Sequence, residues 1–253
     1  MKTLFVGQNS IHVESTDSTN SYASEMLRQI ELSEGTLIYT FKQLKGRGQR
    51  GNFWESEPNK NVALSFILHP KFLALSKQFL LTKISSLAVA DVMAEMLDFG
   101  SEKPKISIKW PNDIYVNDKK IAGILIENTL RENGIQYTII GIGININQME
   151  FLSTGNAVSM AQIAGVEFQP MAVLNLICAH LEARYLQLKA NKEESIDDAY
   201  LACLYKRGNW AAFECAGEML EGRISGVSPA GKLQVEMRNA EIKEFDLKEI
   251  RFI

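Results

Sequence analysis

The chain has 253 residues, 46% of them hydrophobic and 23% charged, which excludes a disordered, collagenous or disulfide-scaffold protein. Lys and Arg number 27 against 30 Asp and Glu, a formal charge of -3, so a generic nucleic-acid coat is excluded as well. The length suits one large domain, or one large and one small. In chain order, short strands are expected at Leu4–Val6 and Ile11–Val13. The cluster STDSTN (Ser15–Asn20) holds cap and turn residues, and Tyr22, Met26, Leu27 and Ile30 follow at helical spacing. Thr19 or Asn20 is therefore expected to cap a helix over Ser21–Ile30. Thr36–Phe41 is β-rich and leads into KGRGQRGNFWESEPNKN (Lys45–Asn61), a polar loop long enough to suggest function. Val62–Leu68 reads as a buried strand. Ile84, Leu87, Ala88, Val92 and Met96 mark a helix over Thr82–Leu97.

Ile106–Trp110 alternates and stops at Pro111. Tyr115–Val116, Ile121–Ile126 and Tyr137–Ile142 are further strands, separated by hairpin turns at Asn117–Lys120 and Arg131–Gly134. A long helix starts at Pro170. Ser195 with Asp198 is expected as a capping box for a helix through about Lys206. Beyond Trp210 the pattern turns to short β-rich runs, Leu220–Val227, Lys232–Met237 and Glu241–Leu247, a small barrel-like appendix. That places a boundary near Arg207–Trp210, dividing 1–207 from 208–253. Cys178, Cys203 and Cys215 form no CxxC pair and suit a reducing compartment. His12, His69 and His180 are too scattered for a metal triad. The N-terminus lacks the apolar region of a signal peptide, and no run approaches about 18 apolar residues. A soluble cytoplasmic protein without a membrane partner is expected.

Four polar clusters carry candidate chemistry: STDSTN; Gln43 with GRGQRG (Gly46–Gly51) and Trp54; KWPND (Lys109–Asp113) with Lys120 and Gly123; and GIGININ (Gly141–Asn147). Arg47 and Arg50 in a glycine-rich loop offer forked donors and backbone N–H groups to a phosphate or carboxylate. The competing reading is a flexible surface loop. Trp54 is an aromatic platform or a packing residue. Asn112 and Asp113 sit where Pro111 ends a strand, as functional groups or as a self-satisfied turn. The glycines of GIGIN mark close backbone approach or a bulge.

These motifs, in this order and over almost the whole chain, resemble the biotin–protein ligases. KWPND followed by KKIAGILIE (Lys119–Glu127) is the most specific part. The resemblance implies an α/β (α+β) fold, with a class II synthetase-like mixed-sheet catalytic domain and a small SH3-like β-barrel C-terminal domain. It also implies a two-step reaction, in which biotin and ATP give biotinyl-5′-AMP and the biotinyl group passes to a lysine of a biotin carboxyl carrier domain. Ser18, Thr19 and Asn20 match residues around the biotin ureido head, Gln43 another biotin contact, and Gly123 the pocket wall. Gly46, Arg47 and Gly48 match the loop that closes over biotin and the adenylate phosphate. Lys120 matches the lysine at the biotin carboxylate and phosphoryl oxygens. Arg50, Trp54, Lys109, Asn112 and Asn145 fall to the nucleotide side, with Trp54 at the adenine. Arg47, Lys120 and Asp113 are the catalytic candidates, and Asp113 serves either the incoming amine or Mg²⁺ bound through phosphates. Gln49 and Asn52 stand where the family often has arginine. Some relatives carry an N-terminal winged-helix DNA-binding domain. This chain starts only a few residues before the catalytic segment, so that module, and DNA binding, are expected to be missing. A homodimer is compatible with the family. The alternatives are a lipoate–protein ligase, or a non-catalytic module that binds nucleic acid or a carrier domain.

Overall fold

The computed structural model describes residues 3–99, 103–131, 134–152 and 155–253; at Arg50 the backbone alone is described. A seven-stranded mixed sheet forms the centre, in the order β1-β2-β5-β9-β8-β7-β6. Its strands are β1 (Ser10–His12), β2 (Thr36–Thr40), β5 (Val62–Leu68), β6 (Ile106–Lys109), β7 (Asp113–Val116), β8 (Lys119–Arg131) and β9 (Gly134–Ile144). Only the β1–β2 pair is parallel. Strand alternation assigns the two faces. Leu37, Phe66, Ile140 and Ile142 join the main core, while Ile38, Ile67 and Ile139 join a smaller cluster on the other face. Helices α2 (Phe79–Met96), α4 (Pro170–Lys189) and α5 (Glu193–Ala202) cover the first face. Helix α1 (Thr19–Gln29) lies on the second, over β2, β5 and β9.

Several expectations need correction. Leu4–Val6 is a turn segment, because the Glu182 carboxylate collects the N–H groups of Leu4, Phe5 and Val6 at 2.7 to 3.0 Å and leaves no donor for a ladder. The cap of α1 is Ser18, whose hydroxyl accepts from the Ser21 N–H, so Thr19 and Asn20 are already helical. Ser195 lies inside α5. That helix starts at Glu193 with two acidic residues at the positive end of its dipole, and it stops at Ala202. The polar loop Lys45–Asn61 contains a small hairpin, β3 (Gly46–Arg47) with β4 (Phe53–Trp54). Unforeseen was α3 (Met160–Ala164), which carries a full capping box of Ser159 and Gln162 and ends at Gly165 in the left-handed region. The centre of the Arg131–Gly134 turn lies outside the described residues.

The C-terminal segment is a five-stranded antiparallel sheet, β13-β12-β11-β10-β14. Its strands are β10 (Trp210–Cys215), β11 (Glu218–Val227), β12 (Leu233–Met237), β13 (Ile242–Phe245) and β14 (Ile250–Phe252). The expected barrel does not close among the described residues. The short edge strands β13 and β14 share no ladder, and only an isolated Leu247–Ile250 bridge joins their ends. The sheet docks on the first unit through Trp110, whose Nε1 donates to Gly231 O at 2.9 Å. No helix among the described residues is long and apolar enough to cross a membrane.

Candidate active site

The α1 face of the central sheet has a floor of small residues. Ala63 and Ser65 on β5 pair with Gly143 and Gly141 on β9, and Gly143 pairs with Gly123 on β8. Side chains lie directly on this floor. A Cβ at Gly141 would stand 2.3 Å from Asn20 Oδ1, and one at Gly143 would stand 2.5 Å from the Trp54 indole. Only glycine admits both side chains at that distance.

Lys120 reaches the same face through an irregularity. Ile114 pairs with Ala122, but the next residue, Tyr115, pairs with Lys120, so Ile121 is the extra residue of a bulge. Strict alternation would put Lys120 on the face opposite Gly123. The bulge instead sends Ile121 into the core and brings Lys120 Nζ within 3.5 Å of a Cβ built at Gly123. Asp113 sits opposite Gly123, and its carboxylate meets Lys120 Nζ at 2.7 Å, with both side chains about one-third exposed. Pro111, after a cis Trp110–Pro111 bond, turns the chain before Asp113. Asn112 Nδ2 donates to Ile124 O and locks that turn to β8.

The N-terminus of α1 closes one end. Gln43 Oε1 accepts from the Thr19 N–H at 3.0 Å and satisfies a donor that the helix leaves open. Asn20 Oδ1 accepts from Ser65 Oγ at 2.6 Å. Thr19, Asn20 and Gln43, with Arg47, Gly48, Trp54, Asn112, Asp113, Lys120 and Gly123, surround one cleft of about 230 Å³. Trp54, Phe53 and Lys120 also line a second cavity of about 320 Å³, which includes Tyr115, Asn145 and Phe151. The indole and the lysine, whose Nζ is 5.5 Å from the ring centroid, thus form the partition between two compartments. Trp54 Nε1 and Asn145 Oδ1 are buried with no hydrogen-bond partner among the described residues. Such groups are costly unless a ligand meets them.

Of the residues expected at the site, Lys109 and Gly46 line neither cavity. Lys109 donates to the Tyr115 hydroxyl at 3.3 Å, and its Nζ lies 5.1 Å from the Phe252 ring centroid. Burial holds its ammonium below the ordinary lysine range, against the opposing pull of Asp113. Burial, helped by Asp113, pushes the Tyr115 phenol up. Gly46 lies in the β3–β4 hairpin, where a Cβ would meet Trp54 O. The Arg50 side chain lies outside the described residues. Sequence reasoning missed Glu127, Ser65, and the C-terminal pair Leu247 and Lys248, which line the cleft from a remote part of the chain. Glu127 had a signal, since it is an acid within the apolar run ILIE.

No group of three His, Cys, Asp or Glu side chains among the described residues could hold a metal ion. Asp113 is the one carboxylate among the described residues lining the 230 Å³ cleft. A single carboxylate fits Mg²⁺, which commonly binds through one or two carboxylates and substrate phosphates.

The family model for the biotin/lipoate A/B protein ligase family matches residues 12–145, more than half of the chain. The chain belongs to this family. The bifunctional ligase/repressor BirA of Bacillus subtilis is 35% identical over 189 residues, which is 73% of this chain and 56% of that protein. The biotin–[acetyl-CoA-carboxylase] ligase of Paracoccus denitrificans is 36% identical over 131 residues, 52% of each chain. The chain thus spans about half the length of these curated relatives. The solved biotin protein ligase of Aquifex aeolicus, in complex with biotin and ATP, superposes with a TM-score of 0.78 at 26% identity, covering 97% of this chain and 100% of that one. The biotin/lipoate family fold therefore extends across both sheets of the present chain.

Proposed function

We propose that this chain is an ATP-dependent biotin–protein ligase. It forms biotinyl-5′-AMP from biotin and ATP, then biotinylates a lysine of a carboxylase's carrier domain in the cytoplasm. The observation that carries this reading is Lys120, paired with Asp113 and standing with Trp54 in the partition that two compartments share. Two substrates can then meet at one cation. In this reading 1–207 is the catalytic unit and 208–253 a small C-terminal domain.

The biotin carboxylate attacks the α-phosphorus of ATP, a new P–O bond forms, and pyrophosphate leaves. Two anions must approach, so neutralisation is the main catalytic demand. Lys120 and Arg47, both lining the cleft, meet it, with Arg50 on the same loop as Arg47. Ser18, Thr19, Asn20 and Gln43 receive the ureido head, and Gly123 opens the wall. On the nucleotide side, Trp54 presents an aromatic face. Asn145 Oδ1, without a partner among the described residues, is the acceptor for a base amine, and Asn112 holds the turn that leads into Asp113. When bound, Mg²⁺ supplies further neutralisation of phosphate oxygens, and Asp113 is the carboxylate that would hold it. In the second step a lysine amine attacks the acyl carbon, AMP leaves with the C–O electron pair, and the nitrogen gives up a proton. Accepting this proton is the alternative role of Asp113, in place of holding the metal. Gly46, Gly48 and the β3–β4 hairpin exclude water from the mixed anhydride.

Biotin-dependent exchange of labelled pyrophosphate into ATP tests the first step, and streptavidin detection of a carrier domain tests the second. Exchange with biotin and none with lipoate is the expected result. Exchange with lipoate alone, or with neither acid, overturns the reading.

A further inference from the structure

Glu127 stands beside the cleft with no part in the reaction as written. Its carboxylate meets two site residues from separate elements. Oε2 accepts from Asn20 Nδ2 at 2.7 Å, and both oxygens accept from one Arg47 nitrogen at 3.1 Å. Asn20 is 2% exposed, and Nδ2 also donates to Leu125 O at 3.2 Å. The two ends of an amide have nearly the same shape, so packing alone does not choose between its orientations. Glu127 does choose. An ionised carboxylate only accepts, so it takes Nδ2 and turns Oδ1 toward Ser65 Oγ. The second lone pair of Oδ1 is then left for a ligand donor. The Arg47 contact is of a different kind. Its two side chains are 46% and 38% exposed, so it is a weak, exchangeable pair at the mouth of the cleft.

We infer that Glu127 is a positioning residue for the biotin side of the site. It orients the Asn20 amide so that its oxygen faces a ureido N–H, and it tethers Arg47 until an anionic ligand takes the guanidinium over. The inference rests on the proposed biotin ligation for its substrate. The tether itself needs no ligand.

The test compares E127Q and E127A with the wild-type chain. In pyrophosphate exchange, KM for biotin should rise about tenfold in E127A and several-fold in E127Q, with KM for ATP held within about twofold. Without ligands, trypsin should cut after Arg47 about threefold faster in both variants. Saturating biotin and ATP should abolish that difference. An unchanged biotin KM in both variants overturns the amide-orienting role. Parallel rises in both KM values, with a lowered melting temperature, also overturn it, since they mark general damage. Wild-type cleavage rates in both variants overturn the tether. If the wild-type chain itself shows no biotin-dependent exchange, the reading of the activity fails, and the cleavage measurement still decides the tether.

Discussion

Lys120 and Asp113 hold each other at 2.7 Å, yet neither side chain builds the core. Replacing Lys120 by Ala should leave folding intact, because strand pairing and the buried Ile121 fix the bulge that carries it. The loss falls on the developing phosphoryl charge, and exchange should drop by on the order of 10²–10³. An unaltered exchange rate with the same melting temperature removes Lys120 from the chemistry. Asp113 poses a sharper choice between the amine and the metal. Asp113→Asn keeps the shape and a hydrogen-bonding oxygen, but the amide does not take up a proton near neutral pH. If the amine role dominates, transfer from preformed biotinyl-AMP should slow more than its synthesis. Single-turnover measurement of each half-reaction separates the two roles, and an equal loss in both assigns Asp113 to the metal. The composition of this residue set was legible in the motifs, but its geometry was not. Alternation along KKIAGILIE places Lys120 on the wrong face, and nothing in that string announces the bulge that reverses it.

At the scale of elements, β9 shows how a floor of glycine is made useful. Its Ile140, Ile142 and Ile144 join the main core, and Gly141 and Gly143 on the other face leave room for Asn20 and the Trp54 indole. Gly143→Ala should therefore act on Trp54 rather than on the strand. The new methyl would stand 2.5 Å from a fused-ring carbon that cannot swing clear as a flexible chain would. The indole must lift, the partition between the compartments opens, and ATP-dependent adenylate formation should fall by on the order of tenfold or more. A red shift and increased quenching of tryptophan fluorescence should accompany it. Normal emission and normal rates together would show that the floor is not in contact with the indole. The long elements of this layer were readable because they are apolar runs bounded by polar segments: Val62–Leu68 was located to the residue, and α2 starts three residues earlier than expected and ends one residue sooner. The failures share a physical cause. Leu4–Val6 is apolar and looks like a strand, but a carboxylate nearly two hundred residues away on α4 takes its N–H groups. The short α3 has too few turns for a periodic signal, although its capping box, Ser159 with Gln162, was there to be read.

Across the whole molecule, the two sheets are tied together at the turn that carries the chemistry. Trp110 donates to Gly231, Lys109 lies against Phe252, and Tyr200 on α5 donates to Pro111 O at 2.8 Å. Trp110→Phe should lower stability by about 1 kcal/mol, the net worth of one hydrogen bond, and should slow both half-reactions together, since Asn112 and Asp113 follow in the same turn. A stability loss without any kinetic loss would uncouple the C-terminal sheet from catalysis. Such contacts join residues far apart in sequence, and no local pattern predicts them. Resistance to alkali depends on the interior as a whole. Burial, the largest cause, raises the Cys178 thiol from 9.0 to about 12, with Glu182 adding to it, and burial also raises Tyr185 and Tyr200. In each case the folded state keeps its proton after the unfolded chain has lost it, so stability falls as pH rises between the two values. The contribution of Cys178 is complete below about pH 9 and is lost progressively toward pH 12, up to about 4 kcal/mol across that window. The melting temperature should therefore hold level up to about pH 9 and then decline, and Cys178→Ala should decline less steeply over the same range. Cys178 should also resist thiol reagents in the folded protein at pH 8 and react only on unfolding, because the thiolate is the nucleophile and the side chain is fully buried. Rapid native-state labelling of Cys178, or identical alkaline profiles for the two proteins, would place the loss of stability in the tyrosines instead.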